Sequence, residues 1–390
     1  MTIAIISDTH IGDAASRLVN DHGSFSSNIP AYKNFKEGIL KFTNGQPIKY
    51  LVLLGDIMDF SINSINNSIT IARPFFKQIK EDKLAENVVY IPGNHDKQVW
   101  DGLEWDTSII GNLSDYRPPD AFARIQPAWI TAAGLIKLEG IEPDENGKFG
   151  NIFLKGLFDK ASDNPTIILA YPNLYIERGN ETIIVTHGHM FETAWVLLSD
   201  FLHGVSGISD NMGLKELEEW NVPITSMICT GVGSAGQVSS LFYRIEREAY
   251  NKTTTTLSDV LDKVLSRIKD EFNLPWYAKM IPGSLIKKIL ASAASQASDP
   301  RSYEKYLDDD KHAEHFRNCF EATKSELTRL KLPNSKTVIF GHTHHPYSSR
   351  EPYRTNRFPD LTFYNTGGWL KESEAEVFLI DGPRFESFRV

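Results

Sequence analysis

Short apolar runs recur along the chain, and each stops abruptly at a cluster of polar residues. Ile3 to Ile6 is apolar at every position, as strands covered on both faces are, and it stops at Ser7-Asp8-Thr9-His10. Tyr50 to Leu54 repeats the pattern and stops at Gly55-Asp56-Ile57-Met58-Asp59, and Val88 to Ile91 stops at Pro92-Gly93-Asn94-His95-Asp96. Between these strands, Tyr32, Phe35, Ile39 and Phe42 keep helical spacing and predict a helix from Ala31 to Phe42. A second helix is predicted within Ile69 to Leu84, with Pro74 marking its start or a kink. From Asp101 to Pro165 the pattern weakens and predicts loops with one or two short helices. Tyr171 to Ile176 and Thr182 to Thr186 then predict a hairpin turning at Arg178-Gly179-Asn180. Its second strand ends in His187-Gly188-His189.

After Phe191 the period changes. Leu257, Val260, Leu261, Val264, Leu265, Ile268 and Phe272 share one helical face, and further helices are predicted near Ala194 to Leu202, Val238 to Tyr250, Leu285 to Ser295 and Tyr303 to Leu330. Strands then resume. Thr337 to Phe340 ends in Gly341-His342-Thr343-His344, Leu361 to Tyr364 ends in Asn365-Thr366-Gly367-Gly368-Trp369, and Glu376 to Ile380 closes the chain. The expected division is a core in two parts, 1–190 and 333–390, around a helical insertion at 191–332.

Composition narrows the class without naming it. At 390 residues the chain exceeds a usual single core, so a large domain with an insertion suits it. A hydrophobic share of 41% and a charged share of 23% belong to an ordinary globular protein. A net charge of −9 argues against a broad nucleic-acid-binding face. Cys229 and Cys319 make no disulfide scaffold, which points to a reducing, cytoplasmic setting. No signal-peptide leader and no apolar run of about 18 residues is seen, so a membrane span is not expected; peripheral membrane contact and oligomeric state stay open.

Five strand ends therefore carry polar clusters, and together they hold Asp8, His10, Asp56, Asn94, His187, His342 and His344. In α/β sheets, sites form beyond the carboxyl ends of strands, where rigid elements aim loop residues into one crevice. Seven of the eleven histidines lie in or beside these clusters, counting His95, His189 and His345, whereas structural histidines would be scattered. Imidazole, carboxylate and amide donors together suit manganese, iron or zinc, and are too nitrogen-rich for calcium or magnesium. Seven donors exceed what one tetrahedral ion uses, which favours a pair of ions.

In these motifs the chain resembles the calcineurin-like metallophosphoesterases. The matching residues are Asp8-Thr9-His10, Gly55-Asp56 to Asp59, Gly93-Asn94-His95-Asp96, His187-Gly188-His189 and Gly341-His342-Thr343-His344, with Asn365-Thr366-Gly367 similar to a late loop of the family. The resemblance implies a four-layer α/β/β/α sandwich. It implies one metal, manganese first among the candidates, on Asp8, His10, Asp56 and His344, and a second on Asp56, Asn94, His187 and His342. It further implies hydrolysis of a P–O bond by in-line attack of a hydroxide between the ions. His95 would protonate the leaving oxygen or steady the phosphoryl group, and Asp59 would orient His95. Phe60 departs from the pattern, since many members carry arginine there.

The substrate is read as a phosphoester of a small molecule or nucleotide. The insertion's position is similar to that of the UDP-2,3-diacylglucosamine hydrolases, which makes a related pyrophosphatase an alternative, beside a cyclic-nucleotide or nucleic-acid phosphodiesterase. A non-catalytic interaction scaffold is the alternative of another class, and loss of ligands would be its signature. His189 is expected beside the ligands and His345 at a rim; His203, His312 and His315 are read as solvated helix positions, and Arg350 and Arg354 are weak candidates for a phosphate contact.

Overall fold

Alternation along each buried strand sorts its side chains between two separate cores. In β1 (Thr2–Ile6), Ala4 and Ile6 enter an outer core and Ile3 and Ile5 an inner one. β2 (Ile48–Leu54) and β3 (Ala85–Ile91) split the same way, Leu51, Leu53, Val88 and Tyr90 outward, Tyr50, Val52, Leu54, Val89 and Ile91 inward. Successive strand side chains point to opposite faces, so an unbroken apolar run is what burial on both faces demands. These positions come from a computed structural model of the chain, which describes residues 1–20, 23–120, 125–139, 154, 156–158, 164–191, 213–224 and 310–390.

Two helices close the outer core. α1 (Pro30–Phe42) starts with proline at its first turn, where no intrahelical N–H is needed, and buries Tyr32, Phe35, Ile39 and Phe42. α2 (Ile65–Glu81) buries Ala72, Phe75, Phe76 and Ile79, and carries Pro74 in its interior at the cost of one backbone bond. Each such side chain removed from water contributes about 1.5–3 kcal/mol.

The inner core is shared with a second sheet. The first sheet runs β13-β12-β1-β2-β3-β6, adding β6 (Thr166–Leu169), β12 (Glu376–Asp381) and β13 (Arg384–Arg389). The second runs β10-β11-β9-β8-β7-β4-β5, from β4 (Ala128–Ile130), β5 (Ile136–Leu138), β7 (Asn173–Arg178), β8 (Glu181–Thr186), β9 (Ser335–Phe340), β10 (Pro346–Tyr347) and β11 (Thr362–Thr366). Ile183, Val185 and Ile339 face inward from β8 and β9, while Ile184, Val338 and Phe340 face outward. That outward face is covered by Ala313, Phe316, Phe320 and Leu327 of a long helix, Asp310–Arg329. Helix, sheet, sheet and helix thus follow one another, the expected α/β/β/α order.

The two sheets place five strand ends together. β1, β2 and β3 are mutually parallel, as are β8 and β9, so all five carboxyl ends can open on one rim. The predicted hairpin is β7 with β8, pairing Arg178 with Glu181 at its turn.

Several expectations need correction. The stretch from Asp101 to Pro165 holds the strands β4 and β5, each only three residues long and too short to show a period. It also continues α3 (Gln98–Glu104) through a π-helical stretch, Trp105–Gly111, into α4 (Asn112–Ser114). β12 does not close the chain: β13 follows, an edge strand whose alternating polar and aromatic residues leave it half exposed. β6 also escaped the pattern reading, being four residues long. Leu214–Ile224, here α5, is a helix that the sequence did not single out, and Asp310–Arg329, here α6, is the described part of the helix predicted over Tyr303 to Leu330. The helices predicted near Ala194 to Leu202, Val238 to Tyr250, Leu257 to Phe272 and Leu285 to Ser295 lie outside the described residues, as do His203 and the side chains of His312 and His315. Among the described residues, no helix is long and apolar enough to cross a membrane.

Candidate metal centre

The strand ends turn sharply, and the turns fall on the residues that matter. Among the described residues nine non-glycine positions have positive φ, and five of them are predicted ligands: Asp8 (51°), His10 (46°), Asp56 (52°), His342 (66°) and His344 (58°). Such left-handed conformations cost on the order of 1–3 kcal/mol each and persist only where the surroundings over-determine them. Here the β1 loop is laced to the β2 loop, with Asp8 N donating to Gly55 O (3.0 Å) and His10 N to Asp56 O (2.9 Å).

Asp96 ties the β3 loop to the β2 loop. Its carboxylate accepts N–H bonds from Gly93 (2.7 Å), Ile57 (2.9 Å) and Asp56 (3.3 Å), and the Tyr90 hydroxyl at 2.5 Å. Burial and the nearby Asp56 charge push Asp96 up to about 6, against the pull of those donors. The sequence reading gave Asp96 no role. Its place at the end of the Gly93-Asn94-His95-Asp96 turn was the only signal. Gly93 is fixed by crowding, since a Cβ there would meet Asp56 and stand 2.8 Å from His187 Nε2.

The seven predicted ligands converge with His95 and Asp59. Three groups have donor atoms all within 4.8 Å of one another: Asp8 with His10 and His344, Asp56 with His187 and His342, and His10 with Asp59 and His95. His10 Nε2 lies 3.0 Å from His344 Nε2, and His344 Nε2 lies 3.4 Å from Asp8 Oδ1. His187 Nε2 lies 3.1 Å from Asn94 Oδ1 and 3.2 Å from Asp56 Oδ2. The same Asp56 oxygen is 3.9 Å from His10 Nε2, so one oxygen faces both groups.

Hydrogen bonds behind the rings decide what faces inward. His187 Nδ1 donates to the Leu54 carbonyl (3.0 Å), and His10 Nδ1 donates to Asp59 Oδ2 (2.7 Å). In neutral rings these bonds leave each Nε2 as a lone-pair nitrogen aimed into the cluster. Lone pairs of His187 Nε2, Asp56 Oδ2 and Asn94 Oδ1 then confront one another. Acceptors facing acceptors repel unless positive charge lies among them, so the donor set fits a cation. Mixed nitrogen and oxygen donors suit manganese, iron or zinc.

The titration behaviour shows the same need for positive charge, met in that case by protonated rings, which carry N–H at both nitrogens in place of a lone pair. Burial pushes the Asp56 carboxyl up, but His187, His95 and His10 outweigh it and hold it well below the usual carboxylate range. Burial likewise raises Asp8, and His344 and His187 bring it below its ordinary value. Burial lowers His187, yet Asp56 and Asp8 carry it to about 9. The carboxylates stay ionised in a buried place because positive charge is at hand.

The remaining predicted residues fall as follows. Asp59 touches His95 as expected (Oδ2 to Nδ1, 3.1 Å), but the same oxygen also takes His10 Nδ1, so it serves both rings. Ser61, which the sequence reading missed, adds its hydroxyl to His95 Nδ1 at 2.7 Å and to Asp59 Oδ1 at 2.8 Å. His189 is buried, its ring 5.4 Å from that of His187 and 6.3 Å from that of His342. His345 is half-buried. Phe60 lies in the outer core, where a charged arginine would be costly. Arg350 has Glu376 and Glu386 as electrostatic neighbours and Arg354 has Tyr364, none of them part of the cluster. Asn365 reaches the β9 loop, donating to Gly341 O (3.0 Å) and Thr343 Oγ1 (2.9 Å).

A profile of the calcineurin-like phosphoesterases matches residues 1–229. Among solved structures, a crystal structure of a dimetal phosphatase from Danio rerio is 11% identical and covers 100% of this chain and 98% of its own, with a TM-score of 0.31, too slight a likeness to build on. No curated protein matches the sequence. The profile spans more than half of the 390 residues and takes in the Asp8, Asp56, Asn94 and His187 strand ends, so the chain belongs to the calcineurin-like phosphoesterase family.

Proposed function

We propose that this phosphoesterase is a two-metal enzyme that hydrolyses a P–O bond, with Asp8, His10, Asp56 and His344 holding one ion and Asp56, Asn94, His187 and His342 the other. The observation that carries the reading is the single Asp56 oxygen facing His187 Nε2 at 3.2 Å and His10 Nε2 at 3.9 Å. Bound there, divalent ions, manganese first with iron or zinc as alternatives, supply charge against phosphoryl oxygens and lower the pKa of water toward neutrality.

The chain's own residues do the rest. Asp59 and Ser61 occupy His95 Nδ1 and fix the ring, which leaves Nε2 to hand a proton to the departing oxygen. His95 is suited to that task by access: its side chain is 21% exposed, against 2% for Asp59 behind it. Asp56 Oδ1 accepts the His95 backbone N–H at 2.8 Å, which ties the donor's position to the central carboxylate. The substrate is a small-molecule or nucleotide phosphoester, the insertion between the His187 and His342 strand ends shapes its site, and the setting is the cytoplasm, a reading supported by two cysteines in 390 residues.

Metal analysis of the purified protein should find two equivalents of transition metal. Loaded with manganese, it should hydrolyse p-nitrophenyl phosphate or its bis ester. Full occupancy with no turnover of any phosphoester would sink the proposal.

A further inference from the structure

Next to the His95 loop lies a buried charged box that the reaction as described does not use. Lys97, two residues after His95, is fully buried. Its ammonium sits 2.7 Å from Asp101 Oδ1, 3.5 Å from Glu218 Oε1 and 5.4 Å from the centre of the Tyr171 ring. Glu218 is also fully buried, and its Oε1 accepts the Tyr171 hydroxyl at 2.8 Å. Trp100 stacks on the same Tyr171 ring at 5.1 Å.

The members of this box come from distant parts of the chain. Lys97 and Trp100 stand at the start of α3, where Trp100 N and Asp101 N both donate to Lys97 O. Tyr171 precedes β7 and exchanges backbone bonds with Gln126. Glu218 alone comes from α5, within the sequence stretch that separates the His187 and His342 strand ends. One turn face of α5 places Leu217 against Cys319 and Ala322 of α6, and the neighbouring residue Glu218 reaches the catalytic loop. α5 is thereby braced between the helix over the second sheet and the turn that bears His95.

A helix could dock by apolar contact alone. Burying a lysine and a glutamate to do so carries a desolvation penalty that good pairing only offsets, and such pairs are better at fixing one arrangement than at adding stability. Burial pulls the Lys97 ammonium down, and Glu218 and Asp101 hold it above its ordinary value, so it stays charged. A charged Lys97 with one fixed partner in α5 cannot shift without breaking the pair. The turn carrying His95 runs directly into that residue along the chain.

We propose that Glu218 is a positioning residue for the proton donor: through Lys97 it fixes the turn that carries His95, so that α5 sets how well the leaving oxygen is protonated. This rests on the assignment of His95 as that donor.

The test compares two leaving groups on the manganese-loaded enzyme. Phenyl phosphate releases phenoxide, a strong base that needs the proton, whereas p-nitrophenyl phosphate releases p-nitrophenoxide, a weak one. His95→Ala should slow phenyl phosphate far more than p-nitrophenyl phosphate. If it slows both alike, the donor assignment itself fails. Given that pattern, Glu218→Gln, which keeps an oxygen for the Tyr171 hydroxyl, should lower kcat for phenyl phosphate about tenfold, a fraction of what a general acid supplies. On p-nitrophenyl phosphate kcat should change less than about twofold, and KM should hold for both.

Hydrogen exchange on the metal-free protein gives a readout without turnover. Amides of 94–100 should exchange faster in Glu218→Gln, while those of β2 and β8 keep their rates. The double variant K97M/E218M, which replaces the pair by apolar side chains, guards against a mere folding defect. It should melt near the parent temperature and retain the phenyl phosphate defect. Equal loss on both substrates, unchanged exchange at 94–100, or full recovery in the double variant would each overturn the proposal.

Discussion

From the first sheet come Asp8, Asp56 and Asn94 with one imidazole, His10; from the second come three imidazoles, His187, His342 and His344. Oxygen donors thus gather on one wall and nitrogen donors on the other. Two of the three close groups take from both, Asp8 and His10 with His344, and Asp56 with His187 and His342; the third, His10 with Asp59 and His95, comes from the first sheet alone. Neither sheet holds a complete set. The inner core, where Ile5, Val52, Leu54 and Ile91 meet Val185 and Ile339, is therefore also the frame that sets the distance between donors.

The largest effect should come from the residue that belongs to both halves. Asp56→Ala should cut turnover on the order of a thousandfold, several kcal/mol at about 1.4 per decade, and lower the metal content of both groups. His344→Ala, by contrast, should leave about one equivalent in metal analysis. Loss of both ions from His344→Ala would erase the distinction between the groups.

The role of the inner core can be separated from stability in general. Ile339→Ala, between the sheets, and Ile184→Ala, on the outer face of the second, should each cost about 2–5 kcal/mol in denaturant unfolding. Only Ile339→Ala should also weaken metal uptake in a calorimetric titration. Equal weakening by both would mean that the sheets' spacing is not what matters.

Asp59 belongs to the first wall but supports a single group. Asp59→Asn should lower affinity at the Asp8, His10 and His344 group by about 10–100-fold, as loss of a partner behind a ligating histidine does. The Asp56, His187 and His342 group should keep its metal, and competition with a chelator would tell the two apart.

The smallest effect contrasts two buried acids. Asp56 is held low by its imidazoles, whereas Glu326, buried behind the second sheet with Tyr175 as its hydrogen-bond donor, is raised by burial to about 7 despite help from Tyr175 and Arg329. Since the folded state keeps the Glu326 proton longer than the unfolded chain, stability falls as pH rises from about 4.5 to about 7 and then levels off. Against Glu326→Gln, the parent protein should lose about 2 kcal/mol between pH 5 and pH 7, measured in urea. A difference that is flat with pH would contradict the raised value.

The strands that the sequence revealed are those whose apolar runs are buried on both faces. β1, β2, β3, β8 and β9 lie mid-sheet and read clearly, with polar clusters marking their ends. β13 escaped because an edge strand with one wet face has no such run, and β4 and β5 because three residues show no period. Ser61 and Glu218 were invisible for another reason. A serine after a turn or a glutamate on a helix is ordinary until a distant partner, His95 or Lys97, is brought to it.

What the chain alone determined was which donor atoms each strand end would carry, because side-chain alternation and the stop of an apolar run are properties of a few neighbouring residues. The tertiary structure decided the rest: that one Asp56 oxygen faces both groups, that Asp59 serves two rings, and that α5 reaches the His95 turn. Those facts depend on strand order and on the packing of one sheet against the other. Contacts spanning hundreds of residues, such as Asp8 with His344, leave no local trace in the sequence.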